Sequence, residues 1–264
     1  MIAIIGGGKM GEALLAGLLA TGHDPAGLLV TEPHGPRAEE LRTTYGSTVV
    51  PAAEAARQAD TLILAIKPQD MVDLLDTIAA ELRPGALVVS IAAGITTSLL
   101  EKHLGAGIPV VRAMPNTPAV VGAGMTAITG GVHTTGDQLD HAEALLRAVG
   151  DVVRVPERHM DTVTALSGSG PAYFYFIAET MIEAGVAMGM TRTTAHRLVT
   201  RTISGAATML DSSGEHPVVL REAVTSPGGT TAAAVRELER HGVRTAFADA
   251  IEAARDRSRD LSEG

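Results

Sequence analysis

Gly6, Gly8 and Gly11 stand at GxGxxG spacing in IAIIGGGKMGEALL, directly after an apolar run and at the start of a helical pattern. Each glycine has its own use. The first permits a tight turn, the second lets backbone approach a pyrophosphate, and the third lets a helix pack closely on a strand. Lys9 and Met10 complete the loop at the helix N-terminus, where unpaired amides and partial positive charge suit phosphate. The expected ligand is a nicotinamide dinucleotide, and the expected chemistry is hydride transfer. Glu32 ends the second strand, about 20 residues past the glycines, where an acid accepts from the ribose hydroxyls of NAD and repels the extra phosphate of NADP. A cap on the following helix is the alternative. Arg37 lies five positions on and could offset that repulsion, so NADPH or NADH remains open.

Two further segments close strands. In an open parallel sheet, ligands bind beyond the carboxyl ends of strands. AIKPQ (65–69) therefore brings Ala65, Lys67 and Pro68 to the crevice, and SIAAG (90–94) brings Ala92 and Ala93. Lys67 either meets a phosphate or extends to solvent. Three loops rich in Gly, Pro, Ser, Thr and Asn are too particular for ordinary connections: VRAMPNTPA (111–119), LSGSGPAYFY (166–175) and AVTSPGGTTAAA (223–234). With no cysteine, thiolate nucleophiles, disulfides and Cys-ligated zinc are excluded. None of the nine histidines forms an HExxH pair, so no metal is expected.

These residues need a scaffold. Runs at Ile2–Ile5, Leu28–Thr31, Thr61–Ile66, Leu87–Ile91 and Pro109–Ala113 read as strands, nearly continuous in apolar residues as burial on both faces requires. Helical patterns at Glu12–Ala20, Ala38–Tyr45 and Met71–Leu82 alternate with them, which predicts an α/β fold with a doubly wound, mostly parallel sheet. Met125–Thr129 and Val152–Val155, flanking a helix over Gln138–Ala148, extend the sheet at one edge. After Pro156 only helical periodicity follows, through Met160–Leu166, Tyr173–Met188, Ala195–Leu210 and Thr231–Leu238, with breaks at GSGP (168–171), MGMT (188–191), SSGEHP (212–217) and SPGG (226–229). The expected division is a dinucleotide-binding domain over 1–156 and an all-α domain over 157–264. Long apolar faces in so small a helical domain need a cover, which a second copy or the first domain could supply. The charged end RDRSRDLSEG reads as a fraying helix terminus.

A formal net charge of -9, 2% aromatic residues and no Trp argue against a nucleic-acid surface. The longest apolar run, around Ala86–Ile95, is too short to span a bilayer, and MIAIIGGGKMG shows no basic leader before an apolar stretch; a cytoplasmic protein is expected, with no membrane partner.

Taken together, GGGKMG, AIKP, VRAMPNTPA, LSGSGPAYFY and SPGGTT resemble the pyrroline-5-carboxylate reductase family, in the same order and over almost the whole chain. The resemblance implies a Rossmann-like domain followed by a helical dimerisation domain. It also implies hydride transfer from NADPH or NADH to the imine of 1-pyrroline-5-carboxylate, giving L-proline, in a homodimer or higher homo-oligomer. Such a site needs a clamp for the substrate carboxylate and a hydrogen bond at the imine nitrogen. Gly228 and Gly229 free the amides ahead of a helix beginning near Thr230, making an anion pocket, with a plain capped helix start as the alternative. By similarity to the family, the backbone of Thr230 and Thr231 lines that pocket, the Thr231 hydroxyl meets the ring nitrogen, and Ser226 shapes the turn. Glu157 matches a family position near the substrate, or simply starts a helix. Asn116 and Thr117, between two prolines, lie near the nicotinamide or only shape their loop. Ala53 stands where the family often has Asn, so one ribose contact is missing. Reduction of another cyclic imine and nucleotide sensing without turnover are the competing readings. A β-hydroxyacid dehydrogenase would carry a lysine where this chain has Gly168-Ser169-Gly170-Pro171.

Overall fold

The chain, described over residues 1–263 by a computed structural model, forms two compact units. One holds Met1–Ser169 together with the residues from Ala254 onward; the other is Gly170–Ala253.

The first unit is built on strands β1 (Ile2–Ile5), β2 (Leu28–Thr31), β3 (Thr48–Val49), β4 (Thr61–Leu64), β5 (Leu87–Ser90), β6 (Val110–Met114), β7 (Gly124–Gly130) and β8 (Gly150–Arg154). They lie in the order β3-β2-β1-β4-β5-β6-β7-β8. The strands from β3 to β6 are mutually parallel, β7 runs antiparallel to β6, and β8 is parallel to β7. The two late strands thus extend one edge, as their flanking positions suggested. Helices α1 (Lys9–Ala20), α2 (Gly35–Tyr45), α3 (Ala52–Gln58), α4 (Met71–Ile78), α5 (Thr97–Leu104) and α6 (Gly136–Leu146) connect them.

Side chains alternate across a strand, so β1 feeds two cores. Ile2 and Ile4 pack with Leu14, Leu15 and Leu18 of α1 and with Leu145 and Leu146 of α6. Ala3 and Ile5 pack with Met71 and Leu75 of α4 and Leu100 and Leu104 of α5 on the other face. Burial on both faces is why these strands read as unbroken apolar runs. Because β1 has β2 on one side and β4 on the other, the chain leaves β1 in opposite directions, and the crevice opens at that switch point.

The unit continues through α7 (Met160–Val163) into a π-helical turn over Thr164–Gly168, closed by the Ser169 amide donating to Thr164 O at 2.8 Å. Sequence reasoning reads GSGP as a break. The helix does break there, at a bend on Ser169 between the π-helical turn and the next helix, and a Cβ on Gly168 would stand 2.6 Å from Met114 Cε.

The second unit contains α8 (Gly170–Ala187), α9 (Arg192–Ser213), α10 (Pro217–Ala223), α11 (Thr230–Arg240) and most of α12 (Val243–Glu263). The other three expected breaks fall between helices, at Gly189, at Gly214 and across 226–229. The charged end is not frayed over its described part: Ser258 of α12 is buried, and its hydroxyl donates to Asp161 Oδ1 at 2.9 Å. Among the described residues no helix is long and apolar enough to cross a membrane.

Candidate functional site

The three motif glycines answer to three different constraints. Gly6 has φ +113°, and a Cβ there would lie 2.5 Å from Ala65 O. A Cβ on Gly11 would lie 1.9 Å from Gly6 O, so α1 sits hard against the loop. Gly8 differs from both. Its φ of -69° and ψ of -178° suit any residue, and a Cβ would meet nothing within 4 Å. The fold itself gives no reason for glycine here; the open space at the first turn of α1 fits an approaching pyrophosphate. Lys9 is exposed, while Met10 packs against the core on the α1 face.

Beyond β2 the side chains are tied together. Glu32 Oε2 accepts from the Gly7 amide at 3.2 Å and Oε1 from the His34 amide at 2.8 Å. It therefore links the glycine loop to the entrance of α2, and the N-cap position itself is His34, without a side-chain cap bond. The link depends on Gly7, where a Cβ would stand 2.9 Å from Glu32 Oε2. Arg37 Nε donates to Gly7 O at 2.9 Å, Nη1 to Glu40 at 2.7 Å and Nη2 to Glu12 at 2.5 Å. The hydrogen bonds to Glu40 and then Glu12 raise the Arg37 pKa above its ordinary value. Tyr45 Oη donates to the other Glu12 oxygen at 3.0 Å, and burial, followed by that bond, raises the phenol. Gly7, Glu12 and Tyr45 carry no motif of their own; only Glu12, an acid on the largely apolar α1, hints at the cluster.

Thr31, Glu32, Pro33, Val49, Pro51 and Ile66 line a cavity of about 640 Å³ beyond the ends of β1 and β2, and Arg42 reaches it from α2. Its largely apolar lining suits a flat heterocycle. Ala65 donates its amide to Ile5 O at 2.8 Å, closing the end of β4. Lys67 and Pro68 follow it, both exposed, and Ala92 and Ala93 follow β5. The topology thus brings Gly6, Gly8, Ala65 and Lys67 to one end of the β1–β4 pair. Neither Lys9 nor Lys67 enters an ion pair among the described residues.

Two other expected contacts have their side chains committed within the first unit. Asn116 accepts from the Met125 amide at 2.9 Å and donates to Ser167 O at 3.2 Å, fastening the π-helical turn to the loop after β6. Glu157 Oε1 accepts from the Thr97 amide at 2.8 Å and from Arg112 Nη1 at 3.3 Å, and its other oxygen accepts from the Thr97 hydroxyl. Arg112 is buried inside β6, and Asp161 lies 3.9 Å from its other terminal nitrogen. A charged residue within VRAMP was the available signal for this cluster; a buried guanidinium requires counter-charges.

In the second unit, the Gly229 amide donates to Ser226 O at 3.0 Å, Gly228 has φ +71°, and a Cβ on Gly229 would lie 2.6 Å from Ser226 Oγ. The turn therefore needs both glycines. It delivers the chain into α11 with Gly229 as N-cap, so no side chain caps this helix. The first intrahelical bond comes from the Ala233 amide to Gly229 O. The amides of Thr230, Thr231 and Ala232 precede it and stand at the positive end of the helix. Thr231 is half-buried; Ser226, Gly228 and Thr230 are exposed. The arrangement presents backbone donors to an anion, with a threonine hydroxyl beside them.

Comparison with known proteins agrees on both halves. Residues 157–261 match the family profile described as pyrroline-5-carboxylate reductase dimerisation, and residues 1–94 match that described as NADP oxidoreductase, coenzyme F420-dependent. The pyrroline-5-carboxylate reductase of Corynebacterium melassecola is 45% identical over 266 residues, covering 99% of this chain and 98% of its own length. The solved structure of a pyrroline-5-carboxylate reductase from Coxiella burnetii superposes with a TM-score of 0.94 at 39% identity, covering 99% of this chain and 98% of that one. That of Plasmodium falciparum pyrroline carboxylate reductase, with NADP bound, gives 0.89 at 29% identity over 99% and 97%.

Proposed function

The chain belongs to the pyrroline-5-carboxylate reductase family, and from that membership we infer that it reduces 1-pyrroline-5-carboxylate to L-proline, the last step of proline synthesis. The observation that carries this reading is full-length similarity joined to a glycine loop whose second glycine faces open space.

Bound reduced nicotinamide, from NADPH or NADH, supplies the hydride for the imine carbon. The chain's own residues bind and orient. Gly6, Gly8 and Gly11, with the amides at the start of α1, hold the pyrophosphate, and Lys9 and Lys67 are the uncommitted cations near it. Met10 contributes its backbone at that helix start. Ala65, Pro68, Ala92 and Ala93 shape the crevice floor, and Glu32 faces the ribose. Asn116 and Glu157 act by holding the adjoining segments, Asn116 through Ser167 and Glu157 through Thr97 and Arg112. At SPGGTT, the Thr230 and Thr231 amides take the substrate carboxylate, with Ser226, Gly228 and Gly229 fixing the turn. The Thr231 hydroxyl meets the ring nitrogen.

The product nitrogen carries one more proton than the neutral imine. A threonine hydroxyl is too weak an acid to supply it readily, so the imine enters protonated and Thr231 orients it. Positioning of this kind accounts for about 7–11 kcal/mol of barrier in favourable cases. Residues 157–264 provide substrate binding and dimerisation, and the reaction runs in the cytoplasm, where the nicotinamide pool lies.

The test follows absorbance of the reduced nicotinamide with purified protein and 1-pyrroline-5-carboxylate. Oxidation that depends on the imine is the expected result. Protein that binds nucleotide and oxidises none of it in the presence of the imine would overturn the assignment.

A further inference from the structure

The charges beyond β2 bear on which of the two nucleotides the crevice takes. Glu32 is held at the mouth of the apolar cavity by two backbone amides, so its carboxylate is fixed in place. Arg37, five positions past Glu32, is spent. It is 22% exposed, with one nitrogen on Gly7 O and the others on Glu12 and Glu40. Arg42 lines the cavity too, but its Nη1 lies 3.2 Å from Glu39. From Glu32 to Arg42, three carboxylates stand against two guanidinium groups, and Glu12 adds a fourth carboxylate from α1. The unpaired ammonium groups, Lys9 and Lys67, lie at β1 and β4, on the pyrophosphate side.

We propose that Glu32, with Arg37 immobilised by Glu12 and Glu40, makes this enzyme select NADH over NADPH. The proposal rests on the nucleotide-binding reading of the crevice. It runs against the NADP named for the family profile over residues 1–94 and for the Plasmodium structure. The physical basis is plain. A ribose 2′-hydroxyl donates to the fixed carboxylate, whereas a 2′-phosphate brings like charge to it and finds both arginines of α2 already paired with glutamates.

The test measures dissociation constants for NADH and NADPH by fluorescence of the reduced nucleotide, without imine present. Wild type is compared with Glu32→Gln and Glu40→Gln at low and high salt. Wild type should bind NADH at least about tenfold more tightly than NADPH, and added salt should narrow that ratio because it screens repulsion between exposed charges. Glu32→Gln should bring the two constants within about threefold of each other, mainly by tightening NADPH. Glu40→Gln, on the exposed face of α2, releases one arm of Arg37. It should tighten NADPH severalfold and leave NADH unchanged, which keeps the proposal testable should Glu32→Gln disturb the loop. Equal or tighter NADPH binding by wild type, or a ratio that neither substitution moves, overturns the proposal. Failure to bind either nucleotide overturns the crevice reading and this proposal with it. A good NADH binder that does not turn over the imine leaves this proposal standing and sinks only the assigned reaction.

Discussion

Glycines that look alike in the motif differ in what they resist, and substitution separates them. Alanine at Gly8 meets no neighbour and sits in ordinary backbone. Gly8→Ala should therefore keep or slightly raise the thermal midpoint, since removing glycine freedom from the unfolded chain is worth about 0.4–1 kcal/mol. It should weaken nucleotide binding by about tenfold or more, close to 1.4 kcal/mol. Gly11→Ala should do the reverse in the melt, losing about 1–3 kcal/mol as backbone moves to admit a methyl group 1.9 Å from Gly6 O. Calorimetric melts and nucleotide titrations on the two variants decide the matter; equal stability in both would contradict the geometry. At the other end of the site, Thr231→Ala should lower kcat/KM for the imine by about 3- to 100-fold, the range of one hydrogen bond to a neutral or charged partner. Thr231→Ser should recover most of it, with nucleotide affinity unchanged in both. The motif residues were legible because each needs a particular residue type. The commitments of Asn116 and Glu157 were not, because Ser167, Thr97 and Arg112 lie 51, 60 and 45 residues away in sequence.

Elements were legible where burial imposed a period. β1, β4 and β5 are buried throughout, β2 is buried up to Thr31, all four are apolar but for one terminal Thr or Ser in β2, β4 and β5, and α1 and α4 show one apolar face each. What escaped were short or polar pieces: β3 with two residues, α3 and α10 with seven each, α5 with eight, and the charged α12. These follow from their surroundings more than from their own pattern. The sheet edge is one such place. Glu143 of α6 accepts from Arg147 at 2.5 Å and from Arg154 of β8 at 2.6 Å. Those bonds, Arg147 first, hold its carboxyl below the usual glutamate range. A depressed carboxyl contributes stability fully above its unfolded value, about 4.3, and loses it as pH falls through the folded value. Glu143→Gln should lower the melt slightly at neutral pH and flatten the decline below about pH 4.3, as read from thermal midpoints across that range. An acid limb identical to wild type would show that the pairs contribute nothing to the edge.

For the whole molecule, the unusual feature is how little of the second unit is covered within one chain. In α8 only Gly170 is buried; Phe174, Tyr175 and Phe176 are 60%, 65% and 70% exposed, and Met188, just past its end, is 81% exposed. In α9 only Ala195 and Val199 are buried. A monomer rarely leaves so contiguous an apolar surface to water, and the dimerisation profile covers this region. Sedimentation should find a dimer or a multiple of it, and Phe176→Glu should shift the population toward monomer; a wild-type monomer at micromolar concentration would contradict the reading. The same uncovered faces have a consequence for handling. If association supplies the missing cover, dilution acts as a denaturant. Each tenfold rise in protein concentration should add about 1.4 kcal/mol per mole of dimer through mass action, so a melting temperature for this protein has meaning only beside the concentration at which it was taken.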